Sequence, residues 1–515
     1  MTTTPTSPPV PTPAEAEAVR RQREAVQQAL ASAPLRAQGE LQLPGQRLRY
    51  RVDAGFVPAF SHVPGQSPEP EAAIFTTAYQ LEAPEGSEPA AAAVQRPICF
   101  AFNGGPGASS AFLHIGLMGP KRVTILDNGQ MPPPPYVVQD NPLSWLAQFD
   151  LVFVDPPHTG SSLSAGDEVR KKHFSVDGDI AVLSDAVCEW LTRHRRWGSP
   201  VLLCGESYGT TRCAAMTETL ADAGVPLAGL ILVSTAMDFQ ALEFSPRNDL
   251  PYALFLPAFA AVAQYHGTLK GEAGASPEAA LAAANDFVHR EYLSALHRGG
   301  ALEPRARSRV ARRVGELTGL APALVEQHHL RISDSTFFVE ALRSRGRTVG
   351  RMDARVTGPM GLAQPQGMEF DPGLDPLWGP FAMAAQHYFG QLGMDSSRRY
   401  HLFGPEVIKE WNFLRGSAKG NQYACTSVEL ARVMRRLPHL RVLVASGIYD
   451  LATPVSATDW SLDQLDLPEA VRANLLHKRY AGGHMMYSRE SELQQLQRDL
   501  VDWLAALPQR QAATA

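Results

Sequence analysis

Short apolar runs, each closed off by turn residues, recur along this chain with polar or helical stretches between them. They are PICFAF (97–102), DLVFVD (150–155), PVLLC (200–204), LAGLILVST (227–235) and LRVLVAS (440–446). Runs of this length without polar alternation fit strands buried on both faces. Two earlier segments, LRYRVDAG (48–55) and AIFTTAYQL (73–81), alternate only partly and are separated by Pro/Gly-rich turns, which also reads as strand. Between two of the apolar runs, residues 179–194 place Ile180, Leu183, Val187, Trp190 and Leu191 on one helical stripe. Alternation of strand and helix predicts a mostly parallel sheet with helices on its faces.

Residues 238–420 follow a different pattern. Helical segments at 277–296 and 305–317 give way to irregular Gly/Pro stretches near 358–379, and no train of buried strands appears. This stretch is expected to be a largely helical cap inserted between two parts of one α/β core, 41–237 and 421–515. Residues 1–40 are expected to form an extension, Thr/Pro-rich and disordered or polyproline-like over 2–13 and helical over 14–31.

Composition narrows the class. The 515 residues are 44% hydrophobic and 19% charged, which is globular composition with ample material for a large core. A net charge of −5 offers no broad basic field, so nucleic acid is not an expected partner. The five cysteines are odd in number and lack C-x-x-C spacing, which argues against a disulfide framework or a structural metal. The longest apolar stretch, near 253–263, is far short of the ~20 residues that span a bilayer. No apolar segment of signal-peptide type begins the chain, so the expectation is a cytoplasmic protein with no membrane partner.

The chemistry centres on Gly205-Glu206-Ser207-Tyr208-Gly209, between the buried run PVLLC and a plausible helix. G-x-S-x-G alone is a weak signal, but a sharp strand-to-helix turn needs small residues beside its serine and lifts the hydroxyl above the sheet edge. A serine needs a base to become a nucleophile. Asp450 follows the last of the apolar runs, and His484 follows the next expected strand in a Gly-Gly loop, so the order serine, acid, histidine is met. Asp450 would orient the imidazole and stabilise its charged form. Asn103-Gly104-Gly105-Pro106-Gly107-Ala108-Ser109-Ser110 follows PICFAF and exposes backbone N–H groups; those of Gly105 and Tyr208 are assigned to an oxyanion hole.

Together, NGGPGASS, GESYG, the SGIYD aspartate and the GGHM histidine resemble the serine carboxypeptidases, α/β-hydrolase-fold peptidases. NPLSW (141–145) and DLVFVDPPHTGSS resemble the same family between its early motifs, and 250–269 looks like its bacterial branch. The resemblance implies Ser207 as nucleophile, His484 as base and Asp450 as its orienter. It further implies Gly105 and Tyr208 as oxyanion donors, with Asn103, Gly104 and Glu206 binding the substrate at its terminal carboxylate. No cofactor or metal is implied.

Two departures matter. Ala108 stands where the family has a cysteine, and Leu117 stands where it has a glutamate that shares a proton with the counterpart of Glu206. A lone Glu206 should ionise readily unless burial raises its pKa, and an ionised one would repel a substrate carboxylate; either His114, Lys121 or Arg122 compensates, or the substrate is not a simple peptide carboxyl terminus. The sequence therefore predicts an α/β hydrolase with a mixed, mostly parallel sheet and a helical cap. Its expected activity is a serine-type carboxypeptidase acting on a peptide or small acyl substrate. An esterase, amidase or acyltransferase with the same triad is the alternative, and a catalytically silent binding protein the last one.

Overall fold

The strand Ile98–Phe102 carries no polar side chain and is buried along its whole length, so both of its faces must be covered. Cys99 and Ala101 join one apolar core and Phe100 and Phe102 join another across the sheet. Each of these phenylalanines, removed from water, contributes ~2–3 kcal/mol. The other central strands repeat the pattern, and it fixes the sheet between two layers.

The structure, a computed structural model, describes residues 12–61, 68–82, 96–363, 366–394, 399–416 and 422–505. Its main sheet has ten strands: β1 (Leu35–Leu43), β2 (Gln46–Ser61), β3 (Glu69–Leu81), β4 (Ile98–Phe102), β5 (Asp150–Val154), β6 (Leu163–Ser164), β7 (Val201–Glu206), β8 (Leu227–Val233), β9 (Arg441–Gly447) and β10 (Leu475–Tyr480). They run in the order β1-β2-β3-β5-β4-β7-β8-β9-β10, with β6 paired to β3. From β5 to β10 neighbouring strands are parallel, while β1, β2 and β3 form an antiparallel edge. This is the α/β-hydrolase architecture. Because β4 lies between β5 and β7, the chain leaves β4 to one side and returns for β7 on the other. At such a reversal the loops after adjacent strands open a crevice at their carboxyl ends.

Helix α1 (Pro13–Ala31) packs against the antiparallel edge through Val26 and Ala29, which join Ala73 of β3. Helix α2 (Val176–Arg193) starts three residues before its predicted stripe, where the Ser175 hydroxyl accepts the Gly178 N–H at 3.1 Å. Helix α3 (Tyr208–Asp222) begins directly after Ser207.

Between β8 and β9 the chain forms helices that include Leu250–Tyr265, Pro277–Phe287, Pro304–Thr318 and Trp378–Gln391. The first three share an apolar core that also takes in Ile448, Tyr449 and Leu451, from the loop after β9. Trp378–Gln391 instead packs on the main sheet, its Phe381 ring 4.7 Å from that of Phe112.

Some boundaries differ from expectation. The sheet begins at Leu35, inside the 1–40 extension, because β1 is an edge strand with its first residues half-buried or exposed and so lacks an apolar run. Helix 277–296 is broken at Val288–Tyr292 by a wider turn. The Thr/Pro stretch at 2–11 and the boundary at Gly420 lie outside the described residues. All five cysteines are free thiols. Among the described residues no helix is long and apolar enough to cross a membrane.

Candidate active site

Ser207 sits at φ 59°, ψ −129°, between the last residue of β7 and the first of α3. Few side chains tolerate a positive φ, and the turn is so tight that its glycines are sterically required. A Cβ at Gly205 would lie 2.3 Å from the Gly209 oxygen, and one at Gly209 would lie 2.2 Å from the Phe102 oxygen. A Cβ at Gly104 would meet the Tyr208 nitrogen at 2.4 Å and the Ser207 Cβ at 2.9 Å. The loop after β4 is thus pressed against the turn after β7, with Gly105 at φ 104°. Tyr208 opens α3, where backbone N–H groups have no intrahelical acceptor.

A buried cation holds the two loops together. Arg212, fully enclosed in α3, pairs with Asp179 of α2 at 2.6 Å and donates from Nη1 to the Asn103 carbonyl. Its guanidinium carbon lies 4.9 Å from the Tyr208 ring centroid. Asn103 in turn accepts the Leu113 N–H at 2.9 Å through Oδ1.

Asp450 and His484 meet at the ends of β9 and β10. His484 Nδ1 lies 2.7 Å from Asp450 Oδ2, and both residues are buried. Asp450 Oδ1 accepts the N–H groups of Ala452 and Thr453 at 2.7 and 2.9 Å, and Oδ2 accepts the Thr453 hydroxyl at 2.6 Å. Burial opposes a charge on His484, but the Asp450 carboxylate beside it prevails and raises its pKa above 6.5. Nε2 of His484 is buried and makes no hydrogen bond; such bonds commonly tighten only once substrate is bound. The histidine backbone is tied to the serine turn through two adjacent residues. Ser234 donates its hydroxyl to the His484 carbonyl at 2.7 Å, and Val233 accepts the Ser207 N–H at 2.9 Å.

Glu206 is buried next to Ser207. Asn103 Nδ2 and the Tyr487 hydroxyl both donate to its Oε2, at 3.2 and 2.8 Å. Burial pushes its pKa up to about 7, against the lowering influence of His484 and of these two donors. Leu117 is fully buried in the apolar core, so this position supplies no second carboxyl.

The three cations considered as compensators do other work. His114 is stacked on Phe153 and hydrogen-bonded to Tyr79 at 2.6 Å, and burial lowers its pKa to about 3, so it is neutral. Lys121 pairs with Asp140, and Arg122 with Glu490. Burial thus favours the neutral form of Glu206, and none of the three supplies a free cation to offset its charge. NPLSW also finds a role: Asn141 Nδ2 donates to the Leu117 and Gly119 carbonyls at 2.8 and 2.9 Å, and Ser144 donates to that of Met118.

Sequence reasoning missed Thr453 and Tyr487. Each lies three residues after a predicted site residue, a spacing that was the available signal. It also missed the cap's part, since the His484 N–H donates to the Met352 carbonyl at 2.6 Å. Among the described residues no three His, Cys, Asp or Glu side chains converge as metal ligands.

Comparison with known proteins agrees with the early motifs. Residues 86–225 match the family model described as serine carboxypeptidase. That stretch holds Asn103, Gly104, Gly105, Glu206, Ser207 and Tyr208, while Asp450 and His484 lie beyond it. No curated protein matches the sequence. Among solved structures the chain is similar to a proline iminopeptidase of Mycobacterium smegmatis, with 14% identity, TM-score 0.32, and 88% of this chain and 99% of that one covered. It is also similar to a carboxyl esterase of Bacillus coagulans, at 12% identity and TM-score 0.33, with 88% and 99% covered. A peroxisomal α/β-hydrolase of Saccharomyces cerevisiae gives 9%, 0.34, and 90% and 91%. The protein is a serine hydrolase.

Proposed function

We propose that this serine hydrolase, with its serine carboxypeptidase segment at residues 86–225, removes residues from the carboxyl end of peptides. Ser207 is the nucleophile. His484 takes its proton, and the oxygen attacks the scissile carbonyl carbon. The N–H groups of Gly105 and Tyr208 hold the resulting oxyanion, a contribution worth several kcal/mol. Asp450, fixed by Thr453 and the backbone, holds the imidazole in one tautomer and stabilises its cation. His484 then protonates the departing amine, and water repeats the cycle on the acyl-enzyme.

The observation that carries the carboxypeptidase reading is the environment of Glu206. Two donors converge on its Oε2, so the proton of the neutral acid belongs on Oε1. A carboxylic acid there donates a hydrogen bond to a substrate carboxylate, where an ionised one would repel it. The sign of the pH dependence follows. Below about 7 Glu206 is protonated and accepts the free acid; above it, binding of that substrate fails. His484 must be neutral to act as base, so turnover rises as pH passes its own raised pKa.

The test compares an N-blocked dipeptide as free acid and as carboxyl amide between pH 4 and 9. A bell-shaped profile for the acid and a plain rise for the amide is expected, with the acid preferred below about pH 7. Glu206→Gln, which has no proton to lose, should flatten the alkaline limb. Equal or better turnover of the amide at every pH would discard the carboxypeptidase reading and leave an esterase or amidase. Leu117, which removes the family's second carboxyl, is the observation that favours this second reading.

A further inference from the structure

The cap loop that meets His484 is pinned on every side. Arg351 O accepts the Leu451 N–H at 3.0 Å, one residue after Asp450, and Met352 O accepts the His484 N–H. The N–H groups of Arg351 and Met352 donate to the Asp371 carboxylate at 2.9 and 3.2 Å. The backbone at Arg351 therefore bridges the two segments that hold the acid and the base.

Its side chain is the exception. Arg351 is exposed, its Nη1 reaches only the Met352 sulfur at 3.8 Å, and among the described residues no carboxylate lies within 4.0 Å of its guanidinium. Asp334 and Asp371 both feel its charge without pairing with it, and the Asp371 oxygens accept the N–H groups of Arg351, Met352 and Gly373. The neighbouring Arg355, by contrast, is paired with Asp353, as Arg331 is with Asp249 and Arg343 with Glu340 elsewhere in the cap. An unpaired guanidinium on a rigid loop beside the base also opposes protonation of His484, which an arriving anion would relieve.

We propose that Arg351 is a substrate anchor, pairing its guanidinium with a carboxylate near the scissile carbonyl and giving the enzyme a preference for acidic substrates. A planar guanidinium binds carboxylate through two parallel hydrogen bonds, so the preference is geometric as well as electrostatic. The inference rests on the serine-hydrolase reading, and does not depend on a free carboxyl terminus.

The test uses the α-ethyl esters of N-acetyl-glutamate and N-acetyl-glutamine, equal in shape and different in charge. Wild type should favour the glutamate ester by about tenfold in kcat/KM, mostly through KM, and 1 M salt should shrink the preference. Arg351→Gln should raise KM for the glutamate ester alone and abolish the preference; Arg351→Lys should restore part of it. Equal losses on both esters in Arg351→Gln, or no preference in wild type, would overturn the anchor and leave the hydrolase reading intact. Hydrolysis of neither ester by wild type would overturn both.

Discussion

The two halves of the site are built in different ways. Ser207, Gly105, Tyr208 and Glu206 sit at the carboxyl ends of adjacent central strands, and their positions follow from glycine close approaches and the enclosed Arg212–Asp179 pair. Asp450 and His484 sit in the loops after β9 and β10, at the far end of the sheet, and lean on the insertion. The loop around Asp450 shares the cap's apolar core, and the His484 N–H ends on a cap carbonyl. The proposed nucleophile half is thus set by the sheet, whereas the proposed acid–base half is set jointly by sheet and cap. A change in the cap should therefore disturb proton transfer before it disturbs the serine turn.

The strongest way to break this comparison is to ask whether the halves act as one unit. Ser207→Ala and His484→Ala should each cut kcat by up to ~10⁶-fold, and the double variant should lose no more, because each alone already removes covalent catalysis. Steady-state rates on one ester substrate check this, and multiplicative losses would mean two independent contributions. Next in size, Arg212→Ala leaves Asp179 buried without its partner. It should lower unfolding free energy by ~3–5 kcal/mol in urea denaturation, with activity lost along with the fold. A loss under ~1 kcal/mol would mean the sheet half does not depend on that pair.

The mirror experiment on the cap is smaller. Asp371→Ala frees two N–H groups of the loop that braces His484, and that of Gly373 beside it, so kcat should fall by about tenfold while stability changes by ~1–2 kcal/mol. An unchanged kcat would detach the cap from the base. Smallest is a pH effect on stability from Glu206. Its folded pKa is raised, so its contribution to stability is present at low pH and is lost as pH rises from 4.5 through about 7. Relative to wild type, Glu206→Gln should therefore be more stable at pH 8 than at pH 5, by about 2–3 kcal/mol, measured by urea denaturation at both values. A pH-independent difference would mean the carboxyl is not held neutral.

The same division governs what the sequence made legible. Strands β4, β5, β7, β8 and β9 announce themselves, because burial on both faces keeps their central residues apolar and confines polar ones to their ends. The serine turn and the loop after β4 are equally plain, because steric contact between them demands glycine. Edge strand β1 is hidden by its polar first half, since half-exposed strands need no apolar run. Glu206 shows a deeper limit. Its charge state depends on burial by residues from several elements, so sequence reasoning could name burial as a condition but not establish it, and turned to His114, Lys121 or Arg122 to offset an ionised carboxyl. The contact of Met352 with His484 crosses more than a hundred residues and leaves no local pattern.

The central claim, that Ser207 is an activated nucleophile served by His484, is tested most directly by covalent labelling. A fluorophosphonate is reacted with wild type and His484→Ala, and the adduct is mapped by peptide mass spectrometry. A single adduct on the peptide bearing Ser207, forming orders of magnitude more slowly in His484→Ala, is the predicted result. No adduct, or one on another serine with Ser207 unmodified, would contradict it.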